Sequence, residues 1–348
     1  MRRALTIWIL AAVMIASFGP SCKKSFSSSQ FVEDKLVILS EISANDSIKV
    51  PVGKSIRVGN GNLIRFDKVN DARVQLKEAT GTAFMLRVNY SSQYASNPSS
   101  IYSSRRRLRA NTTYSIEVQH PILGTVTATT HIPPIPRLTM TDTVQVQYKG
   151  RRVLQVTINL EGPFDQNSLF VFEGLKELME LRRYFFHNNL RYSYETAQGK
   201  AFYSQISHNQ YVPIYTDTVS QNKFIRLNLY TEDIHTENAR IDNLDNPFRR
   251  IFLSEIPAGS ASYQIRIFVD PQFFVSTDAT QKGRVRIQAK LVSKELYDYF
   301  LVYEKYKTDF GIVPSGQLIS PTGNILGNGL GVFGGSAKRE RIFYFDRF

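Results

Sequence analysis

One cysteine, Cys22, and one tryptophan occur among 348 residues. A single thiol cannot close a disulfide within the chain, and it cannot build a cysteine-rich zinc or iron–sulfur centre. Long apolar runs are equally scarce. The one continuous stretch, Ala4 to Phe18, has 15 residues, fewer than the ~20 that a membrane-spanning helix needs. Catalytic signatures are also missing. No G-x-x-x-x-G-K-[ST] phosphate loop, H-E-x-x-H zinc helix, G-x-S-x-G elbow or EF-hand loop is present. The five histidines, at 120, 131, 187, 208 and 235, include no pair spaced to share a metal on one helix or strand. The expectation is therefore a non-enzyme with no cofactor and no metal.

What the chain does have is aromatic mass and alternation. It carries 18 Tyr and 23 Phe, residue types that favour strands over helices. From Leu36 to Ile132 apolar residues recur with period two: Ile48, Val50 and Val52; Val74 and Leu76; Phe84, Leu86 and Val88; Tyr114, Ile116 and Val118; Val126 and Ala128. Such alternation marks strands with one buried face, and Gly81, Asn111 and Gly124 fall between runs, where turns belong. About seven short strands in this space describe a β-sandwich of immunoglobulin or fibronectin type. Pro133-Pro134-Ile135-Pro136 removes ladder donors and fixes φ, so it predicts a stiff boundary. The mainly β reading thus divides into a sandwich over 31–135 and a second β-rich domain over 136–348. In the latter, Leu154 to Leu160, Tyr263 to Val269 and Val285 to Leu291 alternate again. The segment 174–186 suits helix or strand. Leu296, Tyr299, Phe300 and Tyr303 at spacings of 3–4, with Ser293 as a cap, predict a helix near 293–306.

Gly329-Leu330-Gly331-Val332-Phe333-Gly334 matches the dinucleotide fingerprint G-x-G-x-x-G, yet only 14 residues follow, too few for the helix of a βαβ unit. A compact glycine-rich loop over 311–335, with a final strand at 341–345, is expected instead.

The N-terminus speaks to location. Arg2 and Arg3 precede the apolar stretch, and Gly19-Pro20-Ser21 leads into Cys22. This looks like a bacterial lipoprotein signal, with residues 1–21 removed, Cys22 acylated (a palmitate-type chain) and 22–30 a flexible polar tether. Without Arg2 and Arg3 the chain has 41 basic against 30 acidic side chains, a formal charge of +11. Attached to a membrane, that charge has no nucleic acid to meet; lipid phosphates, acidic glycans or an acidic partner are the candidates. The densest run, Arg105, Arg106, Arg107 and Arg109, is read as a hairpin connection and a candidate electrostatic contact.

Several stretches taken together carry a resemblance: the acylation box, Leu36-Val37-Ile38-Leu39, Val69 to Leu76, Tyr114 to Val118, Thr125 to Pro133, and the tail Ser320-Pro321-Thr322-Gly323-Asn324-Ile325 running into Gly329–Gly334. The chain resembles the domain of unknown function 4249 family. The resemblance implies an outer-membrane lipoprotein of Bacteroidota, anchored through Cys22 and often encoded beside a TonB-dependent receptor, the expected partner along with other outer-membrane proteins. Lys23-Lys24, where acidic residues would favour surface export, leaves the periplasmic and surface faces both open. The same context makes Ser47, Thr143 and Thr218, each following Asp, candidate O-glycosylation sites. The function expected is accessory or binding component of a TonB-dependent transport system. The alternative is direct binding of glycan or peptide through aromatics such as Tyr184, Phe185, Tyr297 or Tyr299.

Overall fold

The computed structural model describes residues 34–56, 65–91, 97–165, 168–239, 248–271, 283–308 and 323–345. The expected signal peptide, the tether and Cys22 lie outside them, as does 309–322 of the glycine-rich stretch. The alternating first part forms eight strands: β1 (Leu36–Ser43), β2 (Ser47–Ile56), β3 (Arg65–Lys68), β4 (Arg73–Glu78), β5 (Ala83–Val88), β6 (Ser100–Arg107), β7 (Thr112–His120) and β8 (Gly124–Ile132). Hydrogen bonding runs β1-β2-β6-β5-β4-β7-β8, so β5 is the corner strand that joins β6 to β4. Val50, Val52, Val74, Leu76, Ile116, Val118 and Val126 point into one buried core. Each such side chain contributes about 1.5–3 kcal/mol relative to exposure. The predicted turn residues have the backbone a turn requires: φ is 95° at Gly81, 81° at Gly124 and 54° at Asn111. Tyr102 Oη donates to the Val69 carbonyl at 2.9 Å and accepts from the Ala72 N–H at 3.0 Å; burial pushes its pKa up to about 12, so it stays a neutral donor.

Arg105, Arg106 and Arg107 are not in a connection, as the sequence suggested, but end β6. Leu108 next to them is buried, and its carbonyl accepts from the Asn45 N–H, so the arginines are held in extended backbone.

After the proline segment come β9 (Arg137–Met140), β10 (Val144–Tyr148), β11 (Arg151–Glu161), β12 (Phe170–His187), β13 (Leu190–Ser193), α1 (Ala197–Ser207), β14 (Tyr215–Arg226), β15 (Leu229–Tyr230), β16 (Arg250–Leu253), β17 (Ser262–Val269), β18 (Gly283–Val292), α2 (Lys294–Thr308), β19 (Leu326–Gly327) and β20 (Gly329–Phe345). The ambiguous segment 174–186 is strand, because β18, β14 and β13 supply ladder partners along it. The expected helix is α2; α1 is a second one, which the sequence reading missed. A five-stranded sheet, β10-β11-β17-β15 with β9 on β11, packs Val156, Ile158, Leu160, Ile265 and Ile267 against Phe172 of β12 and Ile287 of β18.

The tail corrects the glycine-loop expectation. Gly329–Gly335 is strand, the first half of β20, paired in parallel with β1, while the second half pairs antiparallel with β18. Glycine is required there by crowding rather than by a turn. A Cβ on Gly334 would lie 2.5 Å from Leu296 Cβ of α2, and one on Gly335 would overlap the His131 carbonyl oxygen of β8. The two cores fall on either side of residue 135 in sequence, but β20 feeds both, with Phe333 and Ala337 in the first and Phe343 in the second. Lys35–Phe348 is one compact unit.

Candidate functional site

Buried acids are the natural place to look for proton chemistry. Glu173 on β12 and Glu304 on α2 are both nearly inaccessible. Glu173 Oε1 accepts from Arg250 Nε at 2.6 Å and lies 3.3 Å from Arg226 Nη2; its Oε2 lies 2.8 Å from Lys290 Nζ. Arg250 Nη1 donates to Glu304 Oε1 at 2.8 Å, and the Arg249 N–H donates to Glu304 Oε2 at 3.1 Å. Lys290 also donates to Glu41 at 3.0 Å, and Ser336 Oγ donates to the same carboxylate at 2.8 Å. Burial alone would raise the Glu173 pKa, but Lys290, Arg250 and Arg226 outweigh it and hold the carboxyl well below the usual range. Burial would lower Lys290, and Glu173 and Glu41 overcome that, so its pKa is raised. Both groups are ionised and both are partnered. The cluster is a clamp joining α2 to the sheet, and neither Glu173 nor Lys290 is poised to exchange a proton near neutral pH. Among the described residues, no group of three or more His, Cys, Asp or Glu side chains is placed to hold a metal ion. Nor is any described helix long and apolar enough to cross a membrane.

The residues singled out in the sequence are dispersed. Arg106 lies over the Phe84 ring, 5.1 Å from its centroid, and Arg109 Nε is 3.6 Å from Glu78. Arg105 and Arg107 are exposed. Ser47 opens β2 and Thr218 lies within β14, both exposed; Thr143 is half-buried between β9 and β10. Of the four aromatics, Phe185 and Tyr297 are buried, Tyr299 packs half-buried against α2's own core contacts, and Tyr184 is half-buried. A cleft of about 670 Å³ opens beside Pro133 and Pro134 and the start of α2, but its charged lining is mixed, with Arg137 and Lys294 against Glu161, Asp165 and Glu295, so it selects no ligand charge.

The surface that does concentrate binding chemistry is the far end of β12. The β18 ladder stops at the Leu178–Gly283 pair; beyond it β12 pairs with β13 and β14 as a three-stranded tongue. Successive side chains alternate between its faces. On one face Phe185 and Tyr192 pack against Phe202 and Tyr203 of α1, which Thr196 caps by accepting from the Gly199 N–H at 3.0 Å. On the other, Tyr184 and Tyr215 stand opposite each other in register, with ring centroids 5.5 Å apart and planes 24° from parallel. Phe186 meets both edge-on, at 5.6 and 5.8 Å. The Arg191 guanidinium sits 3.7 Å from the Tyr184 centroid and pairs with Asp217 at 2.7 Å. Phe186 is 47% exposed and Tyr215 44%. Of the sixteen large apolar side chains that stand exposed among the described residues, seven lie between Phe186 and Ile225. Sequence reasoning named Tyr184 and missed Phe186, Tyr215 and Arg191. The signal was the period-two spacing of Tyr184 and Phe186, which the helix-or-strand ambiguity of 174–186 hid.

Comparison with known proteins adds little beyond the family. No curated protein matches the chain. One solved structure, described as "Biofilm associated protein - BSP domain", is similar at 7% identity and a TM-score of 0.17, covering 88% of this chain and 58% of that one. The chain thus spans a little over half the length of that structure's chain. The family model described as "Domain of unknown function (DUF4249)" matches residues 24–342, nearly all of the chain, and the protein belongs to that family.

Proposed function

We propose that this protein is a non-catalytic lipoprotein of the outer membrane that acts by binding, as an accessory component of a TonB-dependent transport system. Acyl chains on Cys22 hold it at the bilayer, each buried CH₂ contributing about 0.8 kcal/mol. The aromatic face of the tongue engages the transport partner. The observation that carries this reading is the exposed aromatic surface there, Phe186 and Tyr215 beside the half-buried Tyr184. Soluble surfaces seldom gather apolar side chains without a partner, and Tyr and Arg dominate the energetics of protein interfaces. The partner's identity follows from the family resemblance and the acylation box.

The test is affinity capture of the tagged full-length protein from detergent-solubilised envelopes. Wild type recovers an outer-membrane transporter, and a Phe186→Ser/Tyr215→Ser variant loses at least nine-tenths of that recovery. A wild-type capture containing no outer-membrane protein refutes the proposal. Cys22→Ala is expected to leave the envelope fraction and to incorporate no labelled palmitate.

A second reading, direct capture of a glycan, has one observation in its favour. The exposed Tyr215 ring, stacked on Tyr184, offers a surface for the apolar face of a sugar ring, and the Arg191–Asp217 pair beside it can serve hydroxyls. Glycan-array binding abolished by Tyr215→Ala, with transporter capture unchanged, selects this reading.

A further inference from the structure

A different face of the sheet carries a second, independent feature. Lys49 on β2, Ser103 on β6 and Arg87 on β5 stand side by side in register across three neighbouring strands. Strands lie about 4.8 Å apart, so the two cations flank one hydroxyl. Arg105, where the β2–β6 register shifts, lines the same groove of about 540 Å³. Ser47, Ile48, Met85, Asn89 and Ser104 line the rest of it. No carboxylate is among the described residues lining it. Arg87 and Arg105 are exposed, and neither side chain makes a hydrogen bond or ion pair among the described residues.

Like charges on adjoining strands weaken a sheet. Several cations of the sheet meet acids: Arg250 and Lys290 meet Glu173, Arg284 meets Glu177, and Lys338 meets Asp46. The Arg87 and Arg105 side chains have no such acid among the described residues. The groove's donors are two forked guanidiniums, which match tetrahedral oxyanions bidentately, a lysine, and serine hydroxyls that can donate to any remaining oxygen. Its volume is several times that of a lone phosphate, so the anion arrives on a larger carrier.

We infer that the groove of Lys49, Arg87, Ser103 and Arg105 is a binding site for a phosphate ester. The site is separate from the aromatic tongue and does not depend on what the tongue binds. The carrier is a soluble metabolite or a lipid headgroup, which present the same phosphate chemistry.

The experiment uses the full mature chain with Cys22→Ala to remove the anchor, at 150 mM salt. Calorimetric titration with glycerol 3-phosphate reads the soluble source. Flotation with phosphatidylcholine vesicles, with and without phosphatidic acid, reads the headgroup. Wild type binds in at least one arm, and which arm responds identifies the carrier. Arg87→Ala/Arg105→Ala weakens that binding at least tenfold with an unchanged melting temperature, and Arg87→Lys/Arg105→Lys recovers part of it. A control, Arg151→Ala/Arg182→Ala, removes equal charge elsewhere and leaves binding within twofold. Absence of binding in both arms overturns the inference. So does a control that weakens binding as much as the groove variant, because the effect would then be net charge alone.

Discussion

Two clusters of cations sit on the same fifteen-stranded sheet, and they are built on opposite principles. Around Glu173, Arg250 and Lys290 are almost wholly withdrawn from water, and each faces two acids. Around Ser103, Lys49, Arg87 and Arg105 line an open groove without an acid in its wall. Burial explains the difference. An ion taken out of water must find its counter-charge inside the protein, so the inner cluster is closed on itself and rigid. An exposed guanidinium remains hydrated, and the sheet tolerates several of them at a small cost. The first cluster therefore serves the fold, and in the second the Arg87 and Arg105 guanidiniums stay exposed to water.

The largest expected break in this comparison comes from the inner cluster. Glu173→Ala leaves Arg250, Lys290 and Arg226 without their shared carboxylate. Removing one partner of a buried pair costs about 3–5 kcal/mol. For a chain of this size the melting temperature should fall by roughly 10 °C, read by thermal circular dichroism. A loss below about 1 kcal/mol, the size of a surface pair, would remove the distinction between the clusters.

Acid titration sharpens the same contrast at smaller amplitude. The folded-state pKa of Glu173 is depressed, so the unfolded chain binds its proton first and stability rises with pH across the window. The contribution is fully present above the unfolded-state value of about 4.3 and is lost progressively as pH falls below it. In urea titrations, the stability gap between wild type and Glu173→Gln should be constant from pH 7 to pH 5.5 and should narrow below pH 4. A gap independent of pH in that range would show that the carboxylate is not the group that matters.

The smallest effect belongs to the groove. Arg87→Ala/Arg105→Ala should change the urea midpoint by no more than about 0.5 kcal/mol in stability, and a slight gain is expected as like charges separate. A loss above 1 kcal/mol would mean that these arginines hold the sheet together.

Much of the first core was legible in the sequence because its contacts are local. β1 through β8 follow one another within a hundred residues, and β2, β4, β5, β7 and β8 show their buried faces as period-two spacing. Gly81, Asn111 and Gly124 could be placed in turns because few other residues accept positive φ. The helix expected near 293–306 is α2, at Lys294–Thr308, because its apolar stripe and first-turn Glu295 lie within four turns of sequence. Helix α1 was illegible: AQGKAFYSQIS offers only Phe202, Tyr203 and Ile206 as large apolar residues, and what Phe202 and Tyr203 pack on, Phe185 and Tyr192, lies on other elements. The glycine-rich tail misled because glycine weakens strands in general. Its reason here is the closeness of Leu296 and His131, which no reading of the tail alone contains.

By itself the sequence determined the class of the fold, the positions of about half the strands and several turns, and the family, because these depend on neighbours along the chain. Tertiary structure alone decided which charges are closed and which are open. Glu41 meets Lys290 across 249 residues, whereas Arg87 stands opposite Ser103 in a groove with no carboxylate among the described residues lining it. Electrostatic pairing acts through space over a few ångströms. Whether an arginine becomes a structural clamp or a ligand contact is settled only when the sheet places an acid within that reach or leaves it out.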